Sequence, residues 1–292
     1  MGGYQLAEAL ATSRDGWMIA TIVSFMSGAT IIFSIPVGLA MLEKSDHKYM
    51  ALGIMSGILS VPIGVFIAAS LIALTGLEVR PEVSTTAEAT HQVTMGLGMI
   101  LTNLFPLIVF CVAIALGLRF VPDAMITGFL WFGKIMYAGI TLVLVASIVE
   151  YFTGFFSSVF GAWGFDPIIA DEADQFRALE IAGYIGIMLA GAFPMVYLLT
   201  KYLDGPMKAI GSRIGESPEG AAGLLAASAN ILAMYRLIGR VRAKDKVLAI
   251  AFAVCAAFTF GDHLAFTANF QPTIILPLML GKLFGGAAGF LL

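Results

Sequence analysis

FTFGDHLAFTANFQPTIILP, residues 258–277, interrupts an apolar region that runs from about residue 247 to the last residue, 292. Within it Gly261, Asp262 and His263 follow one another, and Thr267, Asn269 and Gln271 add hydrogen-bonding groups. A carboxylate at bilayer depth is costly, so an ionisable residue there marks a functional site by default. Phe260, Phe266 and Phe270 contribute aromatic faces. An acid, hydrogen-bond partners and rings together suit a small organic cation. The ring quadrupoles attract positive charge, and a carboxylate neutralises an ammonium through charge-assisted hydrogen bonds.

Composition places that stretch in a membrane. The 292 residues are 59% hydrophobic and 12% charged, with mean hydropathy +0.94, whereas soluble domains carry about 25% charged residues. Cys111 and Cys255 both lie in apolar runs, which predicts reduced packing residues and no bridge or zinc site. No HExxH, GxSxG, P-loop or dinucleotide fingerprint is present, and His263 has no evident serine partner, so no enzyme is expected. No catalytic residue, cofactor or metal is expected either, and no nucleic acid among the partners. The lipid bilayer is the expected surrounding, and homo-oligomer formation is left open.

Apolar segments at 17–42, 49–76, 93–118, 126–149 and 179–199 are each long enough to span. Pro36, Pro62, Pro106 and Pro194 fall inside four of them and predict kinks or locally freed carbonyls. Basic and acidic connections alternate, with Lys44, His47 and Lys48 after the first span and Glu78, Glu82 and Glu88 after the second. The positive-inside rule then puts the loops after spans one, three and five in the cytoplasm and the loop at 150–178 outside. Residues 1–11 are too short to span. They predict one arm of a re-entrant or interfacial helix, with Arg14 and Asp15 breaking the chain after it.

AAGLLAASANILAMYRLIG, 221–239, lies between two basic flanks, so it is expected to enter and leave on one side with Ser228 and Asn230 at its tip. A surface amphipathic helix is the competing reading. Two arrangements compete for 258–277: a helix broken at Gly261 facing a buried cavity, or a normal span followed by an external loop. Lys282 favours irregular structure, because the loop arrangement sets it near the middle of a last span. The order of arm, charged break and disrupted span occurs at 2–38 and again at 221–266. It suggests an inverted repeat of discontinuous helices. The expected fold class is all-α, a polytopic membrane protein with about five full spans plus re-entrant and broken-helix segments, forming a single transporter domain over 1–292.

GGYQLAEALA at 2–11, TIIFSIPVGLAMLEKSDHKYMALGIMSGILSVPIG at 30–64, AFAVCAAFTFGDHLAF at 251–266 and GKLFGG at 281–286 carry a family likeness. On these stretches the sequence resembles the bacterial ethanolamine permease family of ethanolamine utilisation. The resemblance implies a multi-pass inner-membrane protein that takes up ethanolamine, with a microcompartment ammonia-lyase consuming it downstream. Family members carry further spans before the GGYQLAEAL motif, so this chain is expected to be an N-terminally shortened member. The family's double asparagine followed by proline is reduced here to Asn230. A channel-like facilitator, an ion-coupled carrier of another small amine and a non-transporting membrane scaffold are the alternatives.

Under that resemblance, Asp262 is the expected counter-ion of ethanolammonium, against a helix-capping role. His263 would accept the substrate hydroxyl or relay a proton, against a purely orienting role. Phe266 would offer a ring face or simply pack. Asn269 and Gln271 would ligate the hydroxyl or serve as loop polars. Gln5 and Glu8 are expected to line the cavity from the opposite repeat, and Asn230 is a weaker candidate.

Overall fold

The computed structural model describes residues 2–161 and 217–292, except Arg240, with scattered positions between 183 and 209. Helices dominate the described residues, and four of them are long and apolar enough to cross a bilayer. After a short helix α1 (Gly2–Leu10) come α2 (Arg14–Met41), α3 (His47–Thr75), α4 (Leu97–Phe120) and α5 (Pro122–Thr153). A six-residue helix, α6 (Phe155–Phe160), follows. The second described region holds α7 (Pro218–Ala229), α8 (Ile231–Ile238), α9 (Ala243–Ala256), α10 (Asp262–Phe270) and α11 (Ile275–Ala288). A two-stranded antiparallel ribbon, β1 (Glu78–Val79) and β2 (His91–Gln92), forms in the loop after α3. The fifth expected span, 179–199, is described only at scattered helical positions, and the aromatics Trp163 and Phe165 lie outside the described residues.

Local chemistry sets several boundaries differently from the pattern of apolar residues. Arg14 and Asp15 do not break the chain; they form the first turn of α2, which Ser13 caps by accepting from the Gly16 amide at 3.0 Å. The Asp15 carboxylate also accepts from the Thr94 amide and hydroxyl, at 3.2 and 3.0 Å. Past that contact Gly96 is extended, with φ −79° and ψ 157°, and α4 starts at Leu97 and not at 93. Pro62 and Pro106 sit inside helices that continue past them.

Two helices are irregular at depth. In α2 the backbone winds as π-helix over Ser24–Gly28 and Thr30–Ser34 before returning to α-helix at Ile35. On the other side, α9 stops at Ala256 and helix resumes at Asp262, with Ala257, Phe258 and Thr259 buried between them. The helix-break arrangement for 258–277 is therefore the one the chain adopts. Phe258 has φ 60°, a left-handed conformation that a bulky side chain rarely takes. Gly261 packs so closely on the α7–α8 tip that a Cβ there would strike the Ala229 carbonyl. At the same tip Phe258 and Phe260 donate their amides to Ala227 O and Ser228 O, at 3.2 and 2.8 Å. α7 and α8 thus form a helical hairpin whose apex at Asn230 is pinned to the broken helix.

The two ends of the chain share an order of elements. A short helix (α1, α8) precedes a discontinuous helix (α2, α9–α10). A 3-10 turn follows (Lys44–Asp46, Pro272–Ile274), and then another helix (α3, α11). Contacts show that the two sets run in opposite directions. Lys246, at the start of α9, reaches Asp46, beyond the end of α2. Gln271, after the end of α10, reaches Tyr4 in α1 and Arg80 in the loop that also holds the start of α2.

Glycines allow α3 to approach both α9 and α11. A Cβ on Gly57 would lie 2.5 Å from Ala251 O, and a Cβ on Gly64 would lie 2.8 Å from both Cys255 Sγ and Gly281 O. Gly57→Leu therefore has no room without driving α3 off α9. The variant is expected to lose about 3 kcal/mol or more and to be largely absent from the folded fraction on size-exclusion chromatography. An unchanged monodisperse yield would contradict this packing.

Candidate functional site

The π-wound part of α2 and the break between α9 and α10 face each other across a cavity of about 310 Å³. Ser24, Phe25, Gly28, Ala29, Ile32 and Phe33 line it from α2. Phe258, Asp262, His263 and Phe266 line it from the break and α10, and Tyr4 completes it from α1. Volumes of this order are typical of small-molecule sites. π-Helical turns inside α-helices are often found at functional positions.

Two polar groups on the cavity wall have no protein partner among the described residues. The Asp262 carboxylate accepts no hydrogen bond there, and buried His263 Nδ1 is likewise unsatisfied. A buried unsatisfied group such as His263 Nδ1 is rare because it costs about 1–3 kcal/mol, whereas the Asp262 carboxylate is partly exposed to the cavity. Rings surround them. His263 packs edge-on to Phe25 at 5.2 Å and tilted to Phe258 at 5.6 Å. Phe25 meets Phe266 at 5.5 Å, and Phe266 meets Tyr4 at the same distance. The wall is therefore one carboxylate and one imidazole set among aromatic faces, an arrangement that can neutralise and orient a small ammonium ion.

The expected residues divide. Asp262, His263 and Phe266 come together at the cavity. Asn269 does not reach it, because its amide donates to Ala265 O of its own helix at 2.8 Å. Gln271 is buried in a clamp. It donates to Tyr4 Oη at 3.0 Å and Arg80 O at 2.9 Å, and accepts from the Arg80 amide at 2.9 Å. Asn230 caps α8 by accepting from the Leu232 amide at 2.8 Å. Glu8 turns to a separate surface cleft and pairs with Arg14 at 2.9 Å. The Gln5 side chain lies outside the described residues.

Tyr4, Phe25, Phe33 and Phe258 also line the cavity, and their residue type in an apolar run does not mark them as ligands. A signal for the α2 side does exist in the sequence: Ser24, Ser27, Thr30 and Ser34 recur at helical spacing before Pro36. Their hydroxyls bond back to carbonyls of the preceding turn, at 2.8 Å for Ser24 to Thr21 O and for Ser27 to Val23 O. Such back-bonding bends helices.

The family model for "Ethanolamine utilisation protein, EutH" matches residues 1–292. The chain belongs to the EutH family. Its relatives include the "Probable ethanolamine permease EutH" of Escherichia coli (strain K12), 38% identical over 98% of this chain and 68% of that protein. The protein of the same name from Listeria monocytogenes is 37% identical, with the same coverage of both chains. An "Uncharacterized protein YxeR" of Bacillus subtilis is 32% identical over 98% of this chain and 69% of its own length. No solved structure matches. The Escherichia coli and Listeria monocytogenes relatives are named as permeases, and the family is one of transporters and not of enzymes.

Proposed function

We propose that this protein takes up ethanolamine across the bacterial inner membrane as the ethanolammonium ion, through the cavity between α2 and the α9–α10 break. The observation that carries this reading is the Asp262 carboxylate, left without a partner among the described residues on an aromatic wall. An ammonium satisfies that charge, the faces of Phe25, Phe258 and Phe266 complement it, and His263 Nδ1 is available to the substrate hydroxyl. The named relatives support the substrate.

The two antiparallel sets of elements act as an inverted-topology repeat in one transporter unit. Their discontinuous helices meet near the midplane, and α7–α8 is a re-entrant hairpin that enters from the cytoplasmic side. Rocking one repeat against the other then exposes the cavity alternately to each side. Basic residues support this orientation. Lys44, Lys48, Arg242, Lys244 and Lys246 lie at the end of α2 and the start of α9, which the Asp46–Lys246 contact joins, whereas the acidic loop after α3 lies at the opposite end.

Radiolabelled ethanolamine uptake tests the reading, in cells lacking other uptake routes and at mildly acidic pH, where little neutral base diffuses passively. Saturable uptake above the empty-vector control is expected. Uptake that rises linearly with concentration would indicate a channel. Uptake equal to the control at verified membrane expression would indicate a scaffold.

A further inference from the structure

Lys282 on α11 is 1% exposed, in a segment otherwise apolar. Its ammonium donates to Phe25 O at 3.2 Å and to Cys255 O at 2.7 Å. Phe25 lies in the first π-helical stretch of α2, and Cys255 lies in the last turn of α9. These two carbonyls come from the two discontinuities that form the cavity. Among the described residues Lys282 has no carboxylate partner, so its charge is balanced by backbone dipoles, one of them at a helix C-terminus. Neighbouring carbonyls are tied across the same gap: Thr30 Oγ1 donates to Met26 O at 3.1 Å and to Val254 O at 2.6 Å. Carbonyls released where paired helices unwind are the ligands with which broken-helix transporters hold a coupling cation.

We propose that the Lys282 ammonium is a tethered cation in such a carbonyl site. It holds both walls of the cavity in register and makes an alkali metal ion unnecessary there. Lys282 is thus a positioning residue for the cavity, and its role in transport rests on the substrate reading above. Met or Ala at 282 leaves Phe25 O and Cys255 O without their donor. Ala also opens a space of the shape of propylammonium, the atoms it removes.

Melting of the purified protein tests this without reference to transport. The protein is compared in propylammonium, lithium, sodium and N-methylglucamine chlorides at equal ionic strength. Wild type is expected to melt alike in lithium, sodium and N-methylglucamine. Lys282→Ala is expected to melt about 10 °C lower and to regain at least half of the loss in propylammonium. Lys282→Met fills the space and is expected to show the loss without the rescue. A saturable sodium or lithium stabilisation of wild type would overturn the proposal. So would Lys282→Ala melting like wild type, or equal propylammonium shifts in the Ala and Met variants. If Lys282→Ala does not accumulate, producing it with propylammonium in the medium is expected to restore its membrane level, and failure to do so also counts against the proposal. In uptake assays Lys282→Met is expected to lose about tenfold or more in maximal rate. A wild type that transports nothing overturns the substrate reading, and the melting result still decides the cation site.

Discussion

Asp262→Asn is expected to reduce ethanolamine uptake about 100-fold in kcat/KM at unchanged membrane level. Loss of a charge-assisted contact worth roughly 3 kcal/mol, at about 1.4 kcal/mol per decade, gives that factor. Asparagine keeps the shape and can still cap a helix, so a merely structural Asp262 would tolerate it with little change in uptake. Asp262→Glu keeps the charge but moves it one methylene further into the cavity, and a loss of about tenfold is expected. Uptake kinetics of the three proteins at one pH distinguish the two roles. Full activity of Asp262→Asn would move the ammonium site elsewhere.

Asp46→Ala is expected to cost about 3–5 kcal/mol of stability. Lys246 Nζ lies 2.7 Å from both Asp46 oxygens, and both side chains are only about a tenth exposed. Its third contact is Gly239 O at 3.1 Å, at the end of the α7–α8 hairpin. One ammonium thus joins the end of α2, the hairpin and the start of α9. Removing the carboxylate leaves that charge in a buried position with one carbonyl and the Tyr49 ring, whose centroid lies 5.9 Å away. Combining Asp46→Ala with Lys246→Met removes both charges, so the double variant is expected to be less destabilised than the sum of the singles. Thermal melts of the four proteins in detergent check this. Additive losses, or a single-variant loss under about 1 kcal/mol, would show that the pair behaves as an exposed one.

How far the site was legible follows from what each residue type demands of its surroundings. Asp262 was legible because a carboxylate inside an apolar run has few structural uses. Lys282 is legible for the same reason, although nothing in the sequence says which carbonyls it meets. Asn269 and Gln271 share the polarity of a ligand, but amides serve equally well to tie backbone. Asn269 bonds its own helix and Gln271 bonds Arg80 and Tyr4. Phe25 and Phe33 were hidden because a phenylalanine that faces lipid and one that faces a cavity read alike in an apolar helix. Periodicity also assumes regular winding, so the π-helical turns in α2 moved residues to faces that a regular helix would not give them. The order of elements at the two chain ends was partly legible; their opposed directions rest on contacts between residues some 200 positions apart, such as Lys246 with Asp46.

The most direct measurement of the central claim is substrate protection of a thiol on the cavity wall. Ser24 lines the cavity from α2 and accepts a near-isosteric cysteine. Placed in a background carrying Cys111→Ser and Cys255→Ala, Ser24→Cys is the sole thiol. Its alkylation rate is then followed with rising ethanolamine, beside uptake by the same variant. The account predicts saturable protection, half-complete near the KM for uptake and absent when Asp262→Asn is added. Alkylation unaffected by saturating ethanolamine, in a variant that still transports, would place the substrate path outside the cavity between the two broken helices.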